Sequence, residues 1–213
     1  MEPPKNGPAG KQPPDGTISK TGSKLMHDTF VYMKTFLRDK NVASITPTSS
    51  AGVRRVCSKI DFNRENVIVE YGPGTGVFTK YLLQKMGGNS RLILIELNKS
   101  FNSILSKSFR DPRVTLVNDS AENVLNTLRS YQESNADYIL SGIPFSFLDP
   151  DLKHRILYNT HRALRKGGKF LVYQTCFQTN NHLKVHLQKY FPKVDSKYMI
   201  ANIPPLRIYE AIK

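Results

Sequence analysis

Glu70 stands just ahead of three glycines, Gly72, Gly74 and Gly76, set at every second position. Without a Cβ, glycine reaches φ > 0 and lets backbone N–H groups approach a ligand closely. A dinucleotide turn follows G-x-G-x-x-G, whereas this one is G-x-G-x-G with a carboxylate in front. Negative charge at that place repels a pyrophosphate and suits a ligand carrying an ammonium and a sulfonium, which is S-adenosylmethionine. The bland alternative is a tight turn that needs glycine for geometry alone. Two further acidic groups follow. Glu96, before Leu97 and Asn98, has the paired oxygens to accept both hydroxyls of a ribose, or serves as an acidic group near a helix start. Asp119 is suited to accept from an adenine amino group beside the small Ser120 and Ala121, and equally suited to capping.

The elements around these residues make the spacing meaningful. Val67, Ile68 and Val69 form a β-branched run of the kind buried on both sheet faces, with Glu70 at its end. Val77, Phe78, Tyr81, Leu82 and Met86 recur at helical spacing after the glycines. Further strands are predicted at 91–96, 113–117, 137–142 and 168–173, with helices near 98–109, 121–131 and 150–165 between them. Such alternation implies right-handed βαβ units and a parallel sheet with helices on both faces. The end differs: 180–190 reads as helix, and 194–200 and 206–212 as strands joined by a short link, hence an antiparallel hairpin at one side of the sheet. The fold class is therefore α/β, a Rossmann-like, mostly parallel seven-stranded sheet with an antiparallel last strand. Ligands of such sheets bind beyond the carboxyl ends of the strands. There the fourth strand ends in Ser141, Gly142 and Ile143, followed by Pro144, Phe145, Ser146 and Phe147. These residues are expected to position a methyl acceptor: the Ser141 hydroxyl and the backbone carbonyls hold an amine, and Phe145 and Phe147 offer apolar or cation-attracting faces.

Composition narrows the partners. Lysine and arginine number 31 against 17 acidic residues, a formal net charge of +14, which favours nucleic acid or an anionic membrane surface without choosing between them. Cys57 and Cys176 stand far apart with no C-x-x-C pair, so neither zinc nor disulfide chemistry is indicated and a reducing compartment is expected. No apolar run approaches a membrane span, and residues 1–24 carry no secretory apolar segment, so a soluble or peripheral protein is expected. Residues 1–24 are rich in proline, glycine and lysine and read as a flexible basic arm. Residues 25–60 are a separate unit. Over 25–38, Leu25, Met26, Thr29, Phe30, Met33, Phe36 and Leu37 fall within about 140° of a helical projection, opposite Lys24, His27, Lys34 and Arg38. That pattern describes a helix lying in a membrane interface, and equally one packing its stripe on the domain. Thr46, Thr48, Ser49 and Ser50 then precede a helix through about Ile60; they either cap it or line the amino-acid end of the cofactor. Residues 61–213 are read as the cofactor-binding domain.

Several stretches together resemble the bacterial phospholipid N-methyltransferases and their ornithine-lipid relatives. They are Phe36-Leu37-Arg38, Ile45 to Ser50, Val69 to Gly76, Ser141 to Phe145, Gly167-Gly168 with Tyr173-Gln174, and Asn202 to Pro205, so that the similarity spans roughly residues 25–212. The resemblance implies an enzyme that methylates a head-group amine, taking phosphatidylethanolamine towards phosphatidylcholine and leaving S-adenosylhomocysteine. It places the cofactor at Glu70, Gly72, Gly74, Gly76, Glu96 and Asp119. It also implies attachment of the segment around Lys24, Phe30, Met33, Lys34, Phe36, Leu37 and Arg38 to anionic lipid on the cytoplasmic face of the membrane. Tyr32, Tyr173, Arg207 and Tyr209 are then candidates to hold the lipid, Tyr32 close to the reacting centre. The rival family is the ribosomal-RNA adenine dimethyltransferases, which look similar through the glycine turn. Their fourth strand leads into an Asn-Leu-Pro-Tyr-like turn, where this chain has Ser141-Gly142-Ile143-Pro144-Phe145.

Overall fold

The computed structural model describes residues 48–175, 182–200, 202 and 204–213. The basic arm and the amphipathic stretch, with Lys24, Phe30, Tyr32, Met33, Lys34, Phe36, Leu37 and Arg38, lie outside the described residues. In chain order the elements are α1 Ser50–Cys57, β1 Val67–Tyr71, α2 Val77–Lys85, β2 Arg91–Ile95, α3 Lys99–Ser108 and β3 Val114–Val117. There follow α4 Val124–Ser130, β4 Ala136–Ser141, α5 Pro150–Ala163, β5 Leu164–Thr175, α6 His182–Gln188, β6 Lys193–Met199 and β7 Leu206–Ile212.

The seven strands form one sheet in the order β3-β2-β1-β4-β5-β7-β6. β1 to β5 pair in parallel, and β7 runs antiparallel between β5 and β6. The order reverses across β1 and β4, so the crevice beyond Tyr71 and Ser141 is where a ligand is held in such a sheet. β1 is central because both its faces are apolar. Ile68 faces the cluster made with Val53, Val56, Phe78, Leu82 and Leu92, while Val69 and Tyr71 face Val124, Leu128, Ile156, Leu157 and Phe170. α1 belongs to the first of these clusters through Val53, Val56 and Cys57. α5 starts where Asp149 accepts from the N–H groups of Asp151 and Leu152, with proline in the first turn, and buries Ile156, Leu157, Thr160 and Ala163.

Two elements differ from the sequence reading. β5 begins at Leu164 rather than near 168, because Gly167 takes φ +74° and Gly168 lets the chain pass close to the carbonyls of Arg165 and Asp137. The glycine pair is an irregularity within the strand, where the β4–β5 register shifts between Ala136 and Tyr138. The helix expected at 121–131 opens with a 3₁₀ turn, Ala121–Asn123.

At the amino edge of the sheet, Asp137 is a shared acceptor. It takes the Val67 N–H at 2.9 Å and the Arg64 guanidinium at 2.7 Å, and pairs with Arg165 as well. It thereby ties the starts of β1, β4 and β5. Asp137→Ala is expected to destabilise the fold by about 2 kcal/mol, read as a lower urea midpoint with unchanged slope, since three donors lose a charged acceptor.

Candidate active site

At the end of β1 the Glu70 side chain is completely buried. Its Oε2 accepts from the Thr79 hydroxyl at 2.7 Å, and Oε1 has no hydrogen-bond partner among the described residues. Burial, reinforced by the nearby Glu96 charge and opposed by the Thr79 hydrogen bond, pushes the Glu70 pKa up to about 7. Thr79 lies in the first turn of α2, which the glycine turn brings back over the strand. Gly72, Gly74 and Gly76 adopt φ of +61°, +58° and +82°. The three differ in surroundings. A Cβ on Gly76 would meet the Phe109 ring at 2.3 Å, so that glycine is needed for packing, while a Cβ on Gly74 would meet nothing within 4 Å. Gly74 is thus the open floor of the turn.

The second carboxylate is drawn into the same loop. Glu96 is 3% exposed; it accepts the Asn98 N–H at 2.8 Å through Oε1 and the Gly74 N–H at 3.2 Å through Oε2. Burial raises its pKa, and the backbone hydrogen bonds from Asn98, Gly74 and Leu97 pull it back. Asp119 holds the next turn in shape, accepting from the Ser120 N–H and the Asn123 amide, while Ser120 caps the 3₁₀ turn that buries Ala121. Of the two roles left open for Ser49, the structure shows the cap: its hydroxyl accepts from the Gly52 N–H. Ser50 is the first, exposed residue of α1.

Across the crevice, the turn after β4 touches the glycine turn. The Gly142 N–H donates to the Tyr71 carbonyl at 3.2 Å, and a Cβ on Gly72 would lie 3.4 Å from Ile143 Cγ1. Ser141 is wholly buried, its hydroxyl accepting from the Ile143 N–H, so it shapes the turn from beneath. Phe145 packs edge-on against Phe170 in the core, and Tyr209 is also completely buried. Neither presents surface to an acceptor. Tyr209 instead backs Arg207, whose guanidinium lies 5.0 Å from the ring centroids of both Tyr198 and Tyr209. Tyr173 stacks on Phe78 at 4.1 Å and sets its hydroxyl where a Gly142 side chain would begin, 2.6 Å from that ideal Cβ. Burial and the charge of Glu70 hold the Tyr173 phenol well above its ordinary pKa, so it stays a neutral hydroxyl that can donate and accept. Sequence reasoning missed Thr79 and gave no role to Gln174, which is 3% exposed and reaches from β5 towards the Ile143 carbonyl at 3.5 Å. Neither carries a local signal, because each is defined by a partner in another element.

These residues fit S-adenosylmethionine. A buried carboxylate oxygen lacks a donor among the described residues, the turn beside it is open at Gly74, and a second carboxylate is held at the end of β2. Among the described residues no cluster suited to a metal ion is found. The family described as "Methyltransferase domain" matches residues 68–168. The ornithine lipid N-methyltransferase of Singulisphaera acidiphila is 24% identical over 86% of this chain and 95% of its own length. Ribosomal RNA small subunit methyltransferase A of a Hydrogenobaculum species is 29% identical over 59% of this chain, which spans only 42% of that protein. Among solved structures, the fold is similar to Burkholderia thailandensis 1,6-didemethyltoxoflavin-N1-methyltransferase with bound S-adenosylhomocysteine. The TM-score is 0.63 at 18% identity, with 94% of this chain and 93% of that one covered. Residues 68–168 match a methyltransferase domain, and S-adenosylmethionine is the cofactor.

A carboxyl group protonated in the fold up to about pH 7, against 4.5 when solvated, stabilises the cofactor-free protein below pH 4.5. That contribution is lost as pH rises through about 7. A cationic ligand reverses the preference by favouring the carboxylate. Cofactor binding is therefore expected to release a proton at about pH 6 to 7, with affinity rising as pH rises through that window. Calorimetry in buffers of different protonation enthalpy reads the proton, and Glu70→Gln should remove both effects.

Proposed function

We propose that this methyltransferase domain methylates the head-group amine of an aminolipid at a membrane surface, on the cytoplasmic side, in the phosphatidylethanolamine or ornithine-lipid class. The observation that carries this reading is the turn Ser141-Gly142-Ile143-Pro144-Phe145. It brings no ionisable side chain to the crevice, buries its phenylalanine, and leaves Tyr173, Gln174 and Arg207 as the polar groups on the acceptor side. A base-flipping enzyme needs an exposed aromatic face and amide groups to grip the base. Here Phe145, next to the proline of the turn, is in the core, and the exposed ring is Phe147, two residues further on. The likeness to the ornithine lipid enzyme over nearly its full length supports the same reading. The second reading, methylation of an RNA base, is supported by the partial likeness to the ribosomal RNA enzymes and by the net charge of +14.

When bound, the cofactor supplies an electrophilic methyl on a cationic sulfur, whose bond to carbon breaks as the amine nitrogen forms its own. The protein's part is placement. Glu70 balances the cofactor's positive charge from beneath the turn, and Glu96 fixes the loop through the Gly74 N–H. The Tyr173 hydroxyl and the carbonyls of the β4 turn hold the amine N–H groups, so that the lone pair points at the methyl. The amine must arrive unprotonated. Transfer moves the positive charge from sulfur to nitrogen; the proton that an ammonium head group sheds beforehand goes to water, since the β4 turn itself carries no carboxylate or histidine to take it.

Labelled methyl from S-adenosylmethionine is expected to appear in the head groups of phosphatidylethanolamine or ornithine-lipid vesicles and not in ribosomal RNA; label confined to RNA would overturn the proposal. Gly142→Ala puts a methyl into the Tyr173 hydroxyl. It should lower transfer by about tenfold or more while cofactor affinity, measured by calorimetry, changes little.

A further inference from the structure

β6 is an edge strand, and its carboxyl end projects apolar surface. Ile200 is 82% exposed and Tyr198 60%, the two most exposed large apolar side chains among the described residues. Strand alternation sends Lys197 to the opposite face, where it lines a groove with Arg55, Asp195 and the Lys59–Glu210 ion pair, leaving Lys197 and Arg55 as its exposed cations. On its own face, Tyr198 carries the Arg207 guanidinium. An apolar tip flanked by the exposed Lys197 and Arg55 complements an anionic surface that has an apolar layer beneath it.

The tip is firmly held. Asn202 is 2% exposed; its Oδ1 accepts the Ser49 N–H at 2.7 Å, and its amide donates to the Pro204 carbonyl at 2.8 Å. Gly52 closes the joint, since a Cβ there would stand 3.1 Å from Asn202 Oδ1 and 3.3 Å from Leu206 Cδ1. Asn202 is thus tied to the start of α1. The tip also adjoins the acceptor side, because Tyr198, Arg207 and Gln174 lie opposite one another in register.

We infer that the β6–β7 turn is a lipid-surface anchor: Ile200 and Tyr198 enter the interfacial layer of an anionic bilayer while Lys197 and Arg55 meet its phosphates. This rests on reading the acceptor as a membrane aminolipid, and it specifies which face of the domain meets the membrane. The carboxyl edge of the sheet lies against the bilayer, so a head group reaches the β4 turn without leaving it. A branched aliphatic side chain at the tip favours lipid over RNA, whose surfaces are bound by stacking and charge.

The chain contains no tryptophan, so one introduced tryptophan reports its own site. In the full chain mixed with phosphatidylglycerol–phosphatidylcholine vesicles, Ile200→Trp emission should shift to the blue and be quenched by brominated lipid. Tyr131→Trp, at the far end of α4, should not respond. Ile200→Asp should weaken vesicle partition about tenfold with cofactor affinity unchanged. A silent Ile200→Trp variant that still sediments with vesicles would overturn the anchor and leave the lipid reading standing. Wild-type chain that neither sediments with vesicles nor methylates their lipids would remove that reading and the anchor with it. An Ile200→Trp response to a ribosomal RNA fragment and not to vesicles would make the tip an RNA surface and also overturn the anchor.

Discussion

A carboxyl group sealed from water at the end of the central strand sets the terms for the whole site. Glu70 is fully buried with one oxygen satisfied by Thr79 and the other by nothing among the described residues. Such a group is costly to ionise unless a positive charge comes to meet it. The surrounding structure keeps it in place: β1 is apolar on both faces, the three left-handed glycines return the chain over the strand, and α2 then delivers Thr79. Glu96 sharpens the condition by placing a second acidic group within electrostatic reach. Two carboxylates in one enclosed region hold the site ready for a cation.

The acceptor half is built on a different principle. It has few charges and depends on backbone and ring placement. Gly142 is small because the Tyr173 hydroxyl occupies the space a side chain would need, and Tyr173 is fixed by stacking on Phe78 of α2. The helix that carries the partner of Glu70 therefore also carries the support for Tyr173. Displacing α2 disturbs both halves together.

Much of this was legible in the chain. The β-branched run, the acidic residue and the glycines identify the first strand, its turn and the start of α2, because each depends on local periodicity or on a backbone conformation that few residues accept. Strand order and register across the long chain separations were not written locally. The pairing of Thr79 with Glu70 and the reach of Gln174 to Ile143 emerge only when separate elements meet. Arg207 and Tyr209 illustrate the limit on one strand. Alternation puts both on the same face, but α6 and the core cover Tyr209 while Arg207 stands nearer the carboxyl edge, and no local pattern distinguishes them. The start of β5 at Leu164 has no local mark either, because Gly167 and Gly168 interrupt the strand pattern from within.

The insertion of β7 between β5 and β6 bears on how the protein is made. Among the described residues β6 pairs with β7 and with no other strand, so it stays unpaired until the residues after Pro205 have left the ribosome. The strands that frame the cofactor, β1 to β4, need nothing from that late segment for their own pairing. During synthesis the cofactor half is able to assemble first, and the edge carrying Tyr198 and Ile200 is the last to find its place. A chaperone that shields exposed apolar strands would be needed longest at that edge.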